Sequence, residues 1–173
     1  AYRDTLAKYE LSCNSALVGP PGAWEPEHGS AMIDWLLDER QLKPGVDFDA
    51  IVATEVEYAI GAVRALQARG VHVPSDVAVV GFNDRPEART SSPSVTVMKK
   101  PFYTAGYRAV EAVLDLMQGR PVPDRIEVPA ELVIRRSCGC WPSNVAGGAG
   151  RVHPAGKIHP AGKIHPAGKA YVS

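Results

Sequence analysis

The chain has 173 residues, 45% of them hydrophobic and 22% charged, enough for one domain with a real core and too apolar for wholesale disorder. Its formal charge of zero is uneven: residues 144–173 carry Arg151, Lys157, Lys163 and Lys169 with no acid, leaving 15 basic and 19 acidic residues on the body. That body offers no broad basic footprint for nucleic acid, no apolar run nears the roughly 18 residues of a membrane span, and three cysteines close no disulfide framework, so a reducing cytoplasm is the expected setting.

Tyr2 to Tyr9 reads as a helix already under way at Ala1, so the start of the chain reads as a cut edge without a signal peptide. Leu17-Val18 is a short strand candidate before the turn-forming Gly19-Pro20-Pro21-Gly22. From about Glu27 to Glu39, Met32, Ile33, Leu36 and Leu37 recur at helical spacing, and Lys43-Pro44-Gly45 ends that helix.

Ala50-Ile51-Val52-Ala53 and Val77-Ala78-Val79-Val80 are continuous apolar runs, the pattern of parallel strands buried on both faces. Between them Val56 to Arg69 reads as a helix with Ile60, Val63 and Leu66 on one face and Gly70 as its stop. Strand, helix, strand is a βαβ unit. A polar loop from Asp84 to Pro93, a strand at Val95 to Met98 and a helix from Phe102 to Gln118 follow. Ile126 to Val128 and Leu132 to Ile134 read as edge strands. The expected class is α/β, with a doubly wound, mostly parallel sheet.

Composition breaks near Trp141. Residues 142–173 read as a disordered tail built on VHPAGK, IHPAGK and IHPAGK, because proline at every sixth position forbids a helix and each glycine adds chain entropy. The tail histidines His153, His159 and His165 suit weak metal binding, or no function at all.

Ligands in open parallel sheets bind beyond the carboxyl ends of the strands. That rule selects Thr54 and Glu55 after the first buried strand and Asn83 and Asp84 after the second, carboxylates and amides suited to a ligand rich in hydroxyls or amines. Alternatively Asn83 or Asp84 caps the next segment. Asn83 can donate and accept, so a ligand acceptor could face it. Catalytic signals are poor: no GxGxxG, P-loop, nucleophile elbow or HExxH occurs. Cys138-Gly139-Cys140 offers two thiols where a zinc site wants four ligands, and His28 and His72 read as surface residues. The expectation is no metal, no cofactor and no enzyme.

The stretch GVHVPSDVAVVGFND, its spacing to SPSVTV, the GRPVP turn and the closing SCGC resemble the effector-binding core of the LacI/GalR family of transcriptional regulators. AYRDTLAKYEL resembles the helix after that family's arginine-bearing ligand loop. The resemblance runs from residue 1 to about 141 and implies a type I periplasmic-binding-protein-like fold, incomplete here, with mainly one of two lobes. It implies a sugar or nucleoside-like effector contacting or supported by Thr54, Glu55, Asn83 and Asp84. A homodimer contact would lie near Tyr58, Arg85 and Glu87, and DNA would be bound only through a helix-turn-helix preceding Ala1. Where the family usually carries Asn-Asp, Asp-Asp and Arg-Gln, this chain has Thr54-Glu55, Asn83-Asp84 and Lys99-Lys100, departures that bear on the usual sugar specificity and not on the fold. The same module on a kinase or cyclic-dinucleotide signalling protein is the alternative output.

Overall fold

A computed structural model describes residues 2–19, 22, 25–140 and the strand at 170–172. Helix α1 (Tyr2–Lys8) is followed by a 3-10 turn at Ser15–Leu17. Helix α2 (Pro26–Asp34) starts with proline in its first turn, where the missing N–H costs nothing, and runs on into a π turn at Trp35–Glu39. Then come β1 (Ala50–Val52), α3 (Val56–Ala68), β2 (Ala78–Phe82), α4 (Pro86–Thr90), β3 (Thr96–Lys99), α5 (Phe102–Met117), β4 (Glu131–Val133) and β5 (Ala170–Val172).

The sheet order is β4-β3-β2-β1-β5, parallel except for the antiparallel β3–β4 pair. β1 and β2 pair in parallel, Ala50 on Ala78 and Val52 on Val80, with α3 as the crossover, as the two apolar runs predict. Ile51, Val77, Val79, Val95 and Val97 are at most 2% exposed and form the core with Phe48, Leu36 and Leu66.

Helix α3 buries more than the single stripe its spacing suggests, because it is gripped from two sides. On the sheet side a Cβ at Gly81 would stand 3.1 Å from that of Ala59. On the other side α2 crosses at backbone contact: a Cβ at Gly61 would lie 1.8 Å from the Pro26 carbonyl oxygen, and one at Gly29 would lie 2.1 Å from that of Tyr58. Ser30 Oγ donates to the Gly61 carbonyl at 3.1 Å across this crossing. Ser137, fully buried, clasps the far side of the sheet: its hydroxyl donates to the Val79 carbonyl at 2.5 Å and accepts from the Thr96 N–H at 2.9 Å.

Three expectations are corrected. Leu17 closes a 3-10 turn instead of starting a strand, because Asn14 accepts from the Ala16 N–H and curls the chain. Residues 126–128 make no strand: β3 is already paired along its edge by β4, and Ile126 is 44% exposed. The expected unstructured tail fails at its end, where Ala170–Val172 pair in parallel with β1. Ala-Tyr-Val is the apolar, strand-prone end of the tail, and among the described residues no other strand pairs with that edge of β1. Residues 141–169, the tail histidines among them, lie outside the described residues.

Glycine substitutions separate these forces. Gly61→Ala should cost about 1–3 kcal/mol, because α2 must back away from α3. Gly106→Ala, in α5 with nothing within 4 Å, should add roughly 0.5–1 kcal/mol by rigidifying the helix. Urea unfolding of the two variants reads both signs.

Candidate functional site

The parallel register fixes the site. Val52 pairs with Val80, an offset of 28 residues, and the chain continues three residues beyond each strand partner to Glu55 and Asn83, also 28 apart. Both side chains lie at the carboxyl edge, Glu55 7% and Asn83 8% exposed, and Asn83 Nδ2 donates to Glu55 Oε2. Glu55 is the N-cap of α3, yet its carboxylate bonds no helix N–H and is left for side chains. Its Oε1 accepts from Lys100 Nζ at 3.3 Å, and the same ammonium stands 5.6 Å from the centre of the Phe82 ring.

Asn83 sits at φ +72°, in the left-handed region that asparagine tolerates better than most residues. This turn lifts the chain off β2 while the Asn83 N–H still reaches the Met98 carbonyl at 2.9 Å. Its Oδ1 is buried and has no hydrogen-bond partner among the described residues. A buried carbonyl oxygen left unmet costs about 1–3 kcal/mol, so this atom is where a ligand would be rewarded. Lys100 also lines an open cleft of about 390 Å³ with Lys99, Pro101, Phe102, Tyr103, Thr104, Pro129 and Glu131. The buried cluster and the cleft therefore share one residue, Lys100.

The other two candidates behave differently. Thr54 is exposed and beside the cluster rather than in it. Asp84 has a 5% exposed side chain, but both its oxygens are taken: Oδ1 by Arg135 Nη2 at 2.5 Å and Oδ2 by Arg89 Nη2 at 3.0 Å. Burial raises its pKa, and the two guanidinium groups outweigh that and hold the carboxyl below its usual range. Arg135 further donates to the Val95 carbonyl at 2.8 Å, so Asp84 ties the loop after β2 to the segment after β4. Neither Asn83 nor Asp84 caps α4, whose N-cap is Arg85 with no side-chain bond.

Tyr58 and His28 pack together beside the site. Tyr58 is 4% exposed, its hydroxyl donating to the Gly22 carbonyl at 2.9 Å. Burial first, and then the Glu55 and Glu57 carboxylates, push its phenol above the usual range and keep it a neutral donor. His28 is half-buried against it, ring centres 4.8 Å apart, rather than on the surface. Arg85 is exposed and pairs with Glu57 at 3.0 Å, and Glu87 is exposed on α4. Lys100 is the site residue that strand-end reasoning passes over, since it arrives from β3; the only sequence signal for it is its place where the resembling family carries glutamine. Among the described residues no three His, Cys, Asp or Glu gather to hold a metal. Desolvation and then Cys138 push the Cys140 thiol up to about 11, so it stays protonated at neutral pH.

The Asp84 clamp carries a pH signature. A carboxyl whose folded pKa is depressed contributes stability above its unfolded value of about 3.9, and that contribution is lost as pH falls through the folded value. Urea midpoints should therefore drop on acidification below about pH 4, and less steeply in Asp84→Asn. Arg135→Met should cost roughly 3 kcal/mol at neutral pH, because it strips a buried carboxylate of its better partner.

Comparison with known proteins places this geometry. The family described as a periplasmic binding protein-like domain matches residues 1–138. The lactose operon repressor of Rhizobium radiobacter is 38% identical over 89 residues, covering 51% of this chain and 79% of that one. The HTH-type transcriptional repressor MelR of Bacillus subtilis is 33% identical over 119 residues, 69% of this chain and 33% of MelR. A crystal structure of a sugar-binding LacI-family transcriptional regulator from Escherichia coli, complexed with phosphate, superposes with a TM-score of 0.66 at 34% identity, over 79% of this chain and 47% of that one. The chain thus spans about a third of MelR and under half of the solved regulator. It belongs to the periplasmic binding protein-like domains, as an effector-binding domain of the LacI/GalR family.

Proposed function

We propose that this chain is the sensing part of a LacI-type transcriptional regulator and that it binds a sugar or nucleoside-like effector at Glu55 and Asn83. The observation that carries the reading is the buried, unmet Asn83 Oδ1 at the carboxyl edge of a parallel sheet, beside the cleft that Lys100 shares. The relatives named above are transcriptional regulators, which favours that output over a kinase or cyclic-dinucleotide one and over catalysis. Helix α5 supports a second lobe. None of its residues is buried, and Tyr103, Tyr107, Val110, Leu114 and Met117 form an exposed apolar stripe, the kind of face that a partner layer covers.

In this reading effector binding draws the lobes together and biases a dimer between DNA-competent and DNA-incompetent states. Tyr58, Arg85 and Glu87 are the dimer-contact candidates, the last two exposed at the start of α4. A helix-turn-helix elsewhere in the protein supplies the DNA contacts. In this reading the protein works in the cytoplasm. No described helix is long and apolar enough to cross a membrane.

Titrating the chain with neutral mono- and disaccharides, followed by nitrogen-15 NMR at residues 55, 83 and 100, tests the site. At least one sugar should perturb all three residues, with a Kd raised about ten- to a hundredfold in Asn83→Ala and unchanged in His159→Ala. Binding that ignores Asn83 contradicts the assignment.

A further inference from the structure

Cys138 and Cys140 sit at the end of the segment that clasps the sheet, apart from the effector cluster. The Arg136 and Ser137 N–H groups both donate to the Ser94 carbonyl at 3.0 Å, and the Ser137 hydroxyl joins β2 to β3. The chain then turns back: the Gly139 N–H reaches the Arg136 carbonyl at 3.5 Å, and Gly139 has φ +67°. A Cβ on Gly139 would meet that of Pro74 at 3.5 Å, so the turn rests on the body of the protein. A residue turned in the helical sense, of either hand, brings the Cα atoms on its two sides to about 5.4 Å. A disulfide spans Cα atoms roughly 4.4–6.8 Å apart.

The two sulfurs share this turn. The Cys140 N–H donates to Cys138 Sγ at 3.3 Å, and Cys140 Sγ donates to the Cys138 carbonyl at 3.4 Å. Each sulfur is thus within hydrogen-bond reach of the other residue's backbone, and closing an S–S bond asks for side-chain rotation more than for backbone movement. Both thiols are free, Cys140 is exposed and Cys138 is partly so.

We propose that Cys138 and Cys140 form a reversible redox site, oxidised to an intrachain disulfide by a small disulfide of the glutathione class, and that the folded turn favours the closure. The Cys138 thiolate, its proton given to solvent, attacks the small disulfide. That S–S bond breaks, and the departing thiolate takes up a proton. Cys140 then loses its proton and attacks the Cys138 sulfur of the mixed disulfide, expelling the second small thiol. Two protein thiols lose two electrons, and one small disulfide becomes two thiols. Cys138 goes first because the N–H bond that it accepts favours its thiolate. Burial and then Cys138 push the Cys140 thiol up to about 11, which gives Cys140 the second, resolving role. In a reducing cytoplasm the pair rests as a dithiol and closes when small disulfides accumulate.

Closure and folding form one thermodynamic cycle, so whatever the turn contributes to the ring, the ring returns to the fold. Fixing one residue's backbone in advance is worth about tenfold in closure. The test equilibrates the full chain in one glutathione redox buffer, once native and once in urea, blocks free thiols with a maleimide and cuts with trypsin. Cleavage after Arg136 and Arg151 puts both thiols on one peptide and leaves Cys13 on another. That peptide should lose two hydrogens and escape the maleimide, with a closed-to-open ratio about tenfold higher from the native chain. The oxidised chain should unfold at higher urea, by the ~1.4 kcal/mol that tenfold represents. Cys140→Ser should stop at a single glutathione adduct without that shift. Gly139→Ala, which strains the turn, should bring the native ratio towards the one in urea. A native pair that stays reduced, stops at the adduct or cross-links two chains overturns the proposal. So does a native ratio no higher than that in urea, a comparison that needs no variant to fold.

Discussion

The parallel register of β1 on β2 is the constraint from which the rest of the site follows. Val52 lies against Val80, and the same offset carries the chain to Glu55 and Asn83 at the edge where the strands end. A slip of one residue would turn the side chains of a strand over to the other face, and the pair would part. The register is held by burial on both sides. Ile51 and Val79 sit in the core, Gly81 lets α3 come down onto β2, and Gly61 and Gly29 let α2 clamp α3 from outside. Small residues at the crossings and branched residues in the strands place one carboxylate beside one amide.

Burying that pair is costly unless its partners are complete, and they are nearly so. Glu55 has Lys100 on one oxygen and Asn83 on the other, which leaves a single acceptor, Asn83 Oδ1, unmet. Asp84, one residue on, has its whole carboxylate committed to two arginines and serves the loop instead. Neighbouring polar residues in one sequence motif thus divide their work: one keeps a buried acceptor unmet and the other has both its oxygens paired.

The βαβ core was legible because doubly buried strands read as unbroken apolar runs and α3 stops at a glycine. Glu55 and Asn83 were legible for the same reason, since strand ends mark the ligand edge. Spacing cannot show contacts made by residues distant in the chain. Arg135 lies 51 residues from Asp84 and Lys100 lies 45 from Glu55, so neither partnership has a local signal. The depth of Tyr58 had no signal either, because it comes from α3 being gripped by both a sheet and a second helix near its start. The strand at Ala170–Val172 was missed because proline and glycine dominate the tail, while the open edge of β1 is a property of the folded sheet.

The central claim is that Glu55 and Asn83 form one unit. A double-mutant cycle in urea with Glu55→Ala and Asn83→Ala tests it most directly, because the backbone strain at residue 83 and the loss of the Lys100 partner each appear on both sides of the cycle and cancel. A coupling of about 1 kcal/mol or more is the result this account predicts. Effects that add to within roughly 0.3–0.5 kcal/mol would contradict it.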